Sequence, residues 1–167
     1  NFGRQPIPYV LPPGVVREQL NNNNTIIRQN EQSLSFVVEN LESQDSRAVF
    51  KNVNIDVRQY ERLKMFMHAE KILNGDYSDS DTPLVGFLRI GTDFSENFYQ
   101  IELPLQFTSY GAVSPEEVWP DVNEIDIALN DLSKVKSKGI AEQTLNTINY
   151  YEIIDGEAVA VDEFAPR

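Results

Sequence analysis

Between Leu84 and Leu105 the chain reads LVGFLRIGTDFSENFYQIELPL, two alternating runs joined by a short polar loop. Leu84, Gly86, Leu88 and Ile90 share one face of the first run. Tyr99, Ile101, Leu103 and Leu105 share one face of the second, with Gln100 and Glu102 opposite. A period of two is the periodicity of a pleated strand, and one polar face marks a half-buried antiparallel pair. This block therefore commits the chain to antiparallel β-structure. On that reading Leu103 points into a core and Gln100 into solvent, so a charge at Leu103 should cost far more than one at Gln100.

The same period recurs elsewhere. Thr25–Arg28 and Leu34–Val38 read as strands, and Val53, Ile55 and Val57 alternate with Asn54 and Asp56. In Arg62–Glu70 the residues Leu63, Met65, Met67 and Ala69 face one way, with Arg62, Lys64, Phe66, His68 and Glu70 on the other face. Leu, Met, Lys and Glu favour helix, but the alternation outweighs that propensity. Ile125, Ile127 and Leu129 form a further strand. A short helix then spans Leu132–Lys138, capped by Asn130 or Asp131 and stopped by Gly139, with its lysines at the end that the dipole favours. Asn149–Val161 reads as a hairpin about Asp155-Gly156, a type I′ turn signal. Polar turns are expected at Asn21–Asn24, Glu42–Ser46 and Asn74–Thr82, and an irregular stretch at Thr108–Asn123. Eight or nine strands with one or two short helices predict an all-β fold: an antiparallel two-sheet β-sandwich, jelly-roll-like. The prolines of residues 1–14 favour an extended connector, leaving 15–167 as a single β-sandwich domain.

Composition narrows the function. The formal net charge of −12 is uneven: residues 1–83 carry 9 basic and 11 acidic side chains, net −2, and residues 84–167 carry 5 and 15, net −10. Phosphate recognition needs clustered Lys and Arg, so nucleic acid is not an expected partner. With no cysteine, disulfides and thiolate zinc sites are excluded. No run approaches the 18 apolar residues of a membrane-spanning helix. The chain opens on NFGRQPIPYVLPPG, with neither an initiator Met nor a signal-peptide pattern, and is read as a piece of a longer protein.

Catalytic chemistry finds little purchase, and no catalytic residue is assigned. His68 is the single histidine, no G-x-S-x-G elbow is present, and a histidine-based metal site would lack its second histidine. The loop carrying Asp76, Asp79 and Asp81 is a candidate calcium site without EF-hand spacing, and a plain turn is the simpler reading. Twenty-six acidic residues make a glycosidase pair conceivable by count alone, but such a pair must converge in a cleft about 5–5.5 Å apart. Phe66, Phe87 and Arg89 form a candidate ligand-binding face, where aromatic rings and a cation would meet a sugar or a peptide. No cofactor is implied.

The runs YVLPPGVVREQ (9–19), NEQSLSFVVENL (30–41), RQYERLKMFMHAE (58–70), VGFLRIGTDFSENFYQIELPL (85–105) and EEVWPDVNEID (116–126) together resemble the SprA family, and the resemblance extends from about Tyr9 to Lys138. That family comprises very large outer-membrane proteins of type IX secretion and gliding motility. The resemblance implies a non-catalytic structural or interaction module of a protein-secretion translocon. Its partners would be the remainder of the translocon barrel, associated secretion proteins and secreted cargo, and its location the cell envelope at the outer membrane; the extracellular side is expected over the periplasmic because long insertions in outer-membrane barrels usually sit there. Asn54, Asp56, Lys64, Gln100 and Glu102 argue against a lipid-facing wall. A carbohydrate-binding β-sandwich at the cell surface is the rival reading.

Overall fold

The computed structural model describes residues 7–17, 19–22, 25–28, 33–71, 84–147 and 149–161. Among them lie eight strands: β1 (Gln19–Asn22), β2 (Thr25–Arg28), β3 (Arg62–Phe66), β4 (Val85–Gly91), β5 (Phe98–Pro104), β6 (Glu124–Ala128), β7 (Tyr150–Ile154) and β8 (Glu157–Val161). Two helices accompany them, the single turn α1 (Pro115–Val118) and the longer α2 (Leu129–Glu142).

Every sheet is antiparallel, as expected, and every sheet has only two strands: β1 with β2, β3 with β6, β4 with β5, and β7 with β8. The two facing sheets of a sandwich are not formed among the described residues. Two alternating runs find no strand partner among the described residues. Leu34–Val38 and Val53–Val57 are not strands, and their apolar side chains stand mostly in solvent. Residues Val57–Gln59 instead close a 3-10 turn, which the Asp56 carboxylate caps by accepting from the Arg58 N–H. Asn21 and Asn22, read as loop, complete β1.

The opening hairpin has the register that the alternation required, with Gly86 opposite Leu103, Leu88 opposite Ile101 and Arg89 opposite Gln100. Gly86 is buried, and a Cβ there would sit 2.6 Å from Met67 Sδ, so the Leu-rich face does turn toward β3. Yet all seven residues of β5 are half-buried, and neither face is sealed. The expected contrast between Leu103 and Gln100 is correspondingly blunted.

One residue joins the two central pairs. Asn123, 1% exposed, accepts from Gln106 N–H through Oδ1 (2.8 Å) and donates to Gln106 C=O through Nδ2 (2.8 Å). Its own carbonyl accepts from Met67 N–H at 3.1 Å. Beyond it Ala69 and Phe107 form an isolated parallel bridge, closed by Thr108 N–H donating to Ala69 C=O. Ile125, 2% exposed, lies next to this tie, and Ala69, Ala112, Val118 and Ala158 are also buried.

Two sequence expectations for α2 are corrected. Its N-terminus is not capped by Asn130 or Asp131, because β6 runs straight into it and Glu61 C=O accepts from Leu129 N–H at 2.9 Å. Gly139 does not stop it. The helix ends four residues later, where Gln143 takes a left-handed conformation. Gly139 is there for close approach, since a Cβ would meet Leu145 Cδ2 at 2.8 Å. At the far hairpin Asp155 (φ 50°) and Gly156 (φ 82°) both take positive φ, the geometry of the expected I′ turn.

Candidate functional site

The sequence candidates Phe66, Phe87 and Arg89 separate into two places. Phe87 and Arg89 share the outer face of the β4–β5 hairpin. There the Arg89 guanidinium lies 4.0 Å from the Phe98 ring centroid and 5.9 Å from that of Phe87. Arg89 Nε donates to Gln100 Oε1 at 2.7 Å, Gln100 donates on to Glu102, and Arg89 Nη1 donates to the Phe94 carbonyl. The row is a cation on two aromatic rings, fixed by an amide and a carboxylate. Phe94 at the hairpin tip packs edge-on against Phe50, centroids 4.9 Å apart. The tip itself is held by Asp93, whose Oδ1 accepts from the N–H groups of Ser95, Glu96 and Asn97. Those donors, Asn97 foremost, hold the Asp93 carboxyl well below the usual carboxylate range.

Phe66 belongs to a different cluster, built around the chain's one tryptophan. Trp119 lies edge-on to Phe66 (6.2 Å), His68 (5.6 Å) and Tyr9 (6.3 Å). Its indole N–H donates to Val10 C=O at 2.7 Å, which draws the proline-rich segment onto the body of the protein. His68 is half-buried. Its Nδ1 lies 2.7 Å from Val118 C=O and 3.0 Å from Thr108 Oγ1, and its Nε2 lies 2.8 Å from Glu70 Oε1.

Glu70, His68 and Thr108 stand in the order carboxylate, imidazole, hydroxyl. Their setting makes them a fastening. Thr108 is 7% exposed, and its hydroxyl also reaches Val118 C=O at 3.4 Å. The imidazole bridges the end of β3 to the end of α1, where a capping box between Ser114 and Glu117 fixes the turn. The signal for this cluster was in the sequence, in a lone Trp within an otherwise irregular stretch, but nothing there announced its partners. Asn123 gave no signal at all.

On β3 and β6, Asp126 accepts from Arg62 Nε (2.7 Å) and pairs with Lys64 Nζ (2.9 Å), and both partners lower its pKa. A cleft of about 320 Å³ lies along the Asn130, Ser133, Lys134 and Ser137 side of α2 and against Glu157 of β8. Its lysines are already engaged: Lys134 with Asp131 and Gly156 C=O, and Lys138 with Glu142. Asp76, Asp79 and Asp81 lie outside the described residues. Among the described residues no group of three or more His, Asp or Glu could hold a metal, and no helix is long and apolar enough to cross a membrane.

No curated protein matches the chain. Residues 1–159 match the SprA N-terminal family, described as motility related/secretion protein, and the chain belongs to that family.

Proposed function

We propose that the chain is a non-catalytic structural and interaction module of the outer-membrane translocon of type IX secretion and gliding motility, lying on the extracellular side. Family membership supports the secretion and motility part of this reading. One structural observation carries the interaction part: among the described residues, four strand pairs whose outer edges are unpaired, and large apolar side chains such as Val113 (67% exposed) and Val122 (59% exposed) left in solvent. Open edges and exposed apolar groups are costly to leave in water, and partners are what usually cover them. A larger antiparallel assembly, sandwich or jelly-roll-like, would form by adding strands to those edges. The remainder of the translocon, its associated proteins and secreted cargo are the partners this reading requires.

The test replaces Val113, Val122 and Ile153 with Ser in the natural full-length protein and follows cargo secretion and gliding. The expected result is loss of both at unchanged protein abundance. Unimpaired secretion refutes the interaction role. The rival reading, carbohydrate binding, draws on the Phe87–Arg89–Phe98 row, an aromatic and cationic face on a strand pair. Binding on a glycan array that disappears with Phe87→Ala would favour it, and silence across the array would end it.

A further inference from the structure

The proline-rich segment is seated on a platform that does not depend on it. Trp119 is held from both sides along the chain. Its backbone N–H donates to Pro115 C=O at 2.8 Å, the capping box of Ser114 and Glu117 fixes the turn before it, and Asn123 N–H donates to Pro120 C=O at 2.8 Å after it. Phe66 and His68 stand edge-on to its ring at 6.2 and 5.6 Å. Residues 7–13 contribute to none of these contacts. They meet the indole itself: Val10 C=O accepts from its N–H at 2.7 Å, the Tyr9 ring lies edge-on at 6.3 Å, and Pro12 is buried. Among the described residues, no backbone–backbone hydrogen bond joins 7–13 to another element, so the segment is not a strand of any sheet. Its path ends in a tight turn, where Val15 N–H donates to Pro12 C=O at 3.2 Å and Gly14 takes φ 75°, the positive φ of a type II turn.

We propose that Trp119, with Phe66 and His68 beside it, is a recognition site for an extended proline-bearing peptide, and that residues 7–13 are its resident ligand, a strap that a peptide of the same chemistry can replace. Pro8, Pro12 and Pro13 fix φ at their own positions and push Ile7, Leu11 and Pro12, the residues before them, away from helical backbone. The segment is therefore extended before it docks, and little conformational entropy is lost when it does. Proline has no N–H to give a sheet edge. A peptide of this kind is read through its carbonyls and its ring surfaces, and an indole N–H set in an aromatic cluster recognises both. The bond to Val10 spans 109 residues of sequence, so no local turn imposes it. One directional bond with ring contacts makes a hold that is specific and still reversible. Because the strap is tethered, its effective concentration is high, and the chain occupies its own site.

The single tryptophan makes the test direct, because the chain labelled with heavy nitrogen shows one indole N–H signal by NMR. Tyr9→Ala with Pro12→Ala loosens the strap. The indole signal should then leave its native position, and its hydrogen exchange should become about 10-fold faster or more. An unlabelled peptide of residues 7–14, added at about 1 mM, the scale of a tethered segment's effective concentration, should return the signal to that position. The same peptide with its three prolines replaced by Ala should be needed at about 10-fold higher concentration, since it is not extended beforehand. An indole signal unmoved in the double variant overturns the proposal. So does a proline-bearing peptide that fails to return the signal, or an Ala peptide that returns it equally well. If the double variant also loses the amide signals of α2 and β7–β8, it has unfolded, and Tyr9→Ala alone decides. Tyr9 is 47% exposed, and the same displacement and the same return are required of that variant; absence of either overturns the proposal.

Discussion

Replacing Asn123 is the most direct test of how the two central strand pairs are joined. Asn123→Ala removes two side-chain hydrogen bonds, to the N–H and the C=O of Gln106, from a position 1% exposed. Each is worth about 0.5–1.5 kcal/mol, and the small void adds about 1 kcal/mol. Gln106 is itself exposed, so its backbone recovers water and the loss stops there. The sum is about 2–4 kcal/mol for the unit that joins β3–β6 to β4–β5. Asn123→Asp should be worse at pH 7. One oxygen still accepts from Gln106 N–H, but the other faces Gln106 C=O with no proton between them, and the charge is buried. Such a carboxyl has a raised pKa in the folded state, so its penalty grows as pH rises above about 3.9 and eases below that. Urea titration followed by the single tryptophan reads both variants. An Asn123→Ala effect under 0.5 kcal/mol, or an Asp variant no worse than Ala at pH 7, would refute the joint.

Other outcomes follow from local geometry. Gly91→Ala should disrupt the β4–β5 hairpin more than Gly86→Ala, because its Cβ would fall on the backbone of Asn97 and Phe98, whereas that of Gly86 meets the movable ends of Met67 and Leu105; circular dichroism melts give the order. Asp93 has a depressed pKa, so its hold on the hairpin tip is complete above the unfolded value near 3.9 and is lost only as pH falls through the lower folded value; the Ser95–Asn97 amide shifts should stay constant through pH 4 and move well below it. Trp119→Phe keeps the ring contacts and removes the bond to Val10, about 1 kcal/mol, so trypsin should cut faster after Arg17 with other sites unchanged. With so little shared core, unfolding seen at Trp119 and at the β7–β8 amides should not coincide; superimposable transitions would contradict the description of separate strand pairs.

The hairpins were legible because each is specified within some twenty residues. Leu84–Leu105 declares its register by alternation, and Asp155-Gly156 declares its turn by residues that accept positive φ. β3 was legible as a strand despite helix-forming residues, because its period was two. What could not be read was anything set by a distant partner. Val53–Val57 has the alternation of a strand and is not one, since a strand exists only where an edge receives it. Gly139 looked like a helix stop and is a contact point for Leu145. Asn130 and Asp131 looked like caps, but Glu61 supplies the acceptor from sixty-eight residues away. For the candidate site the same division holds: Phe87 and Arg89 were correctly placed on one face by their spacing, and Phe66 was lost to a tryptophan fifty-three residues on.

Single polar ties across long sequence separations do here what a continuous apolar core does in a compact domain. Asn123 fastens the β5 end to the β3 end, Trp119 fastens the first described residues through Val10, and Lys134 fastens α2 to the β7–β8 turn through Gly156. Such ties fix orientation well and bury little, because a hydrogen bond is directional and contributes only about 1 kcal/mol net. Among the described residues, ties of this kind leave strand edges unpaired and many apolar side chains exposed. Such an arrangement suits a component whose remaining stabilisation comes from what it binds, since burial at an interface then adds the free energy that its own core lacks.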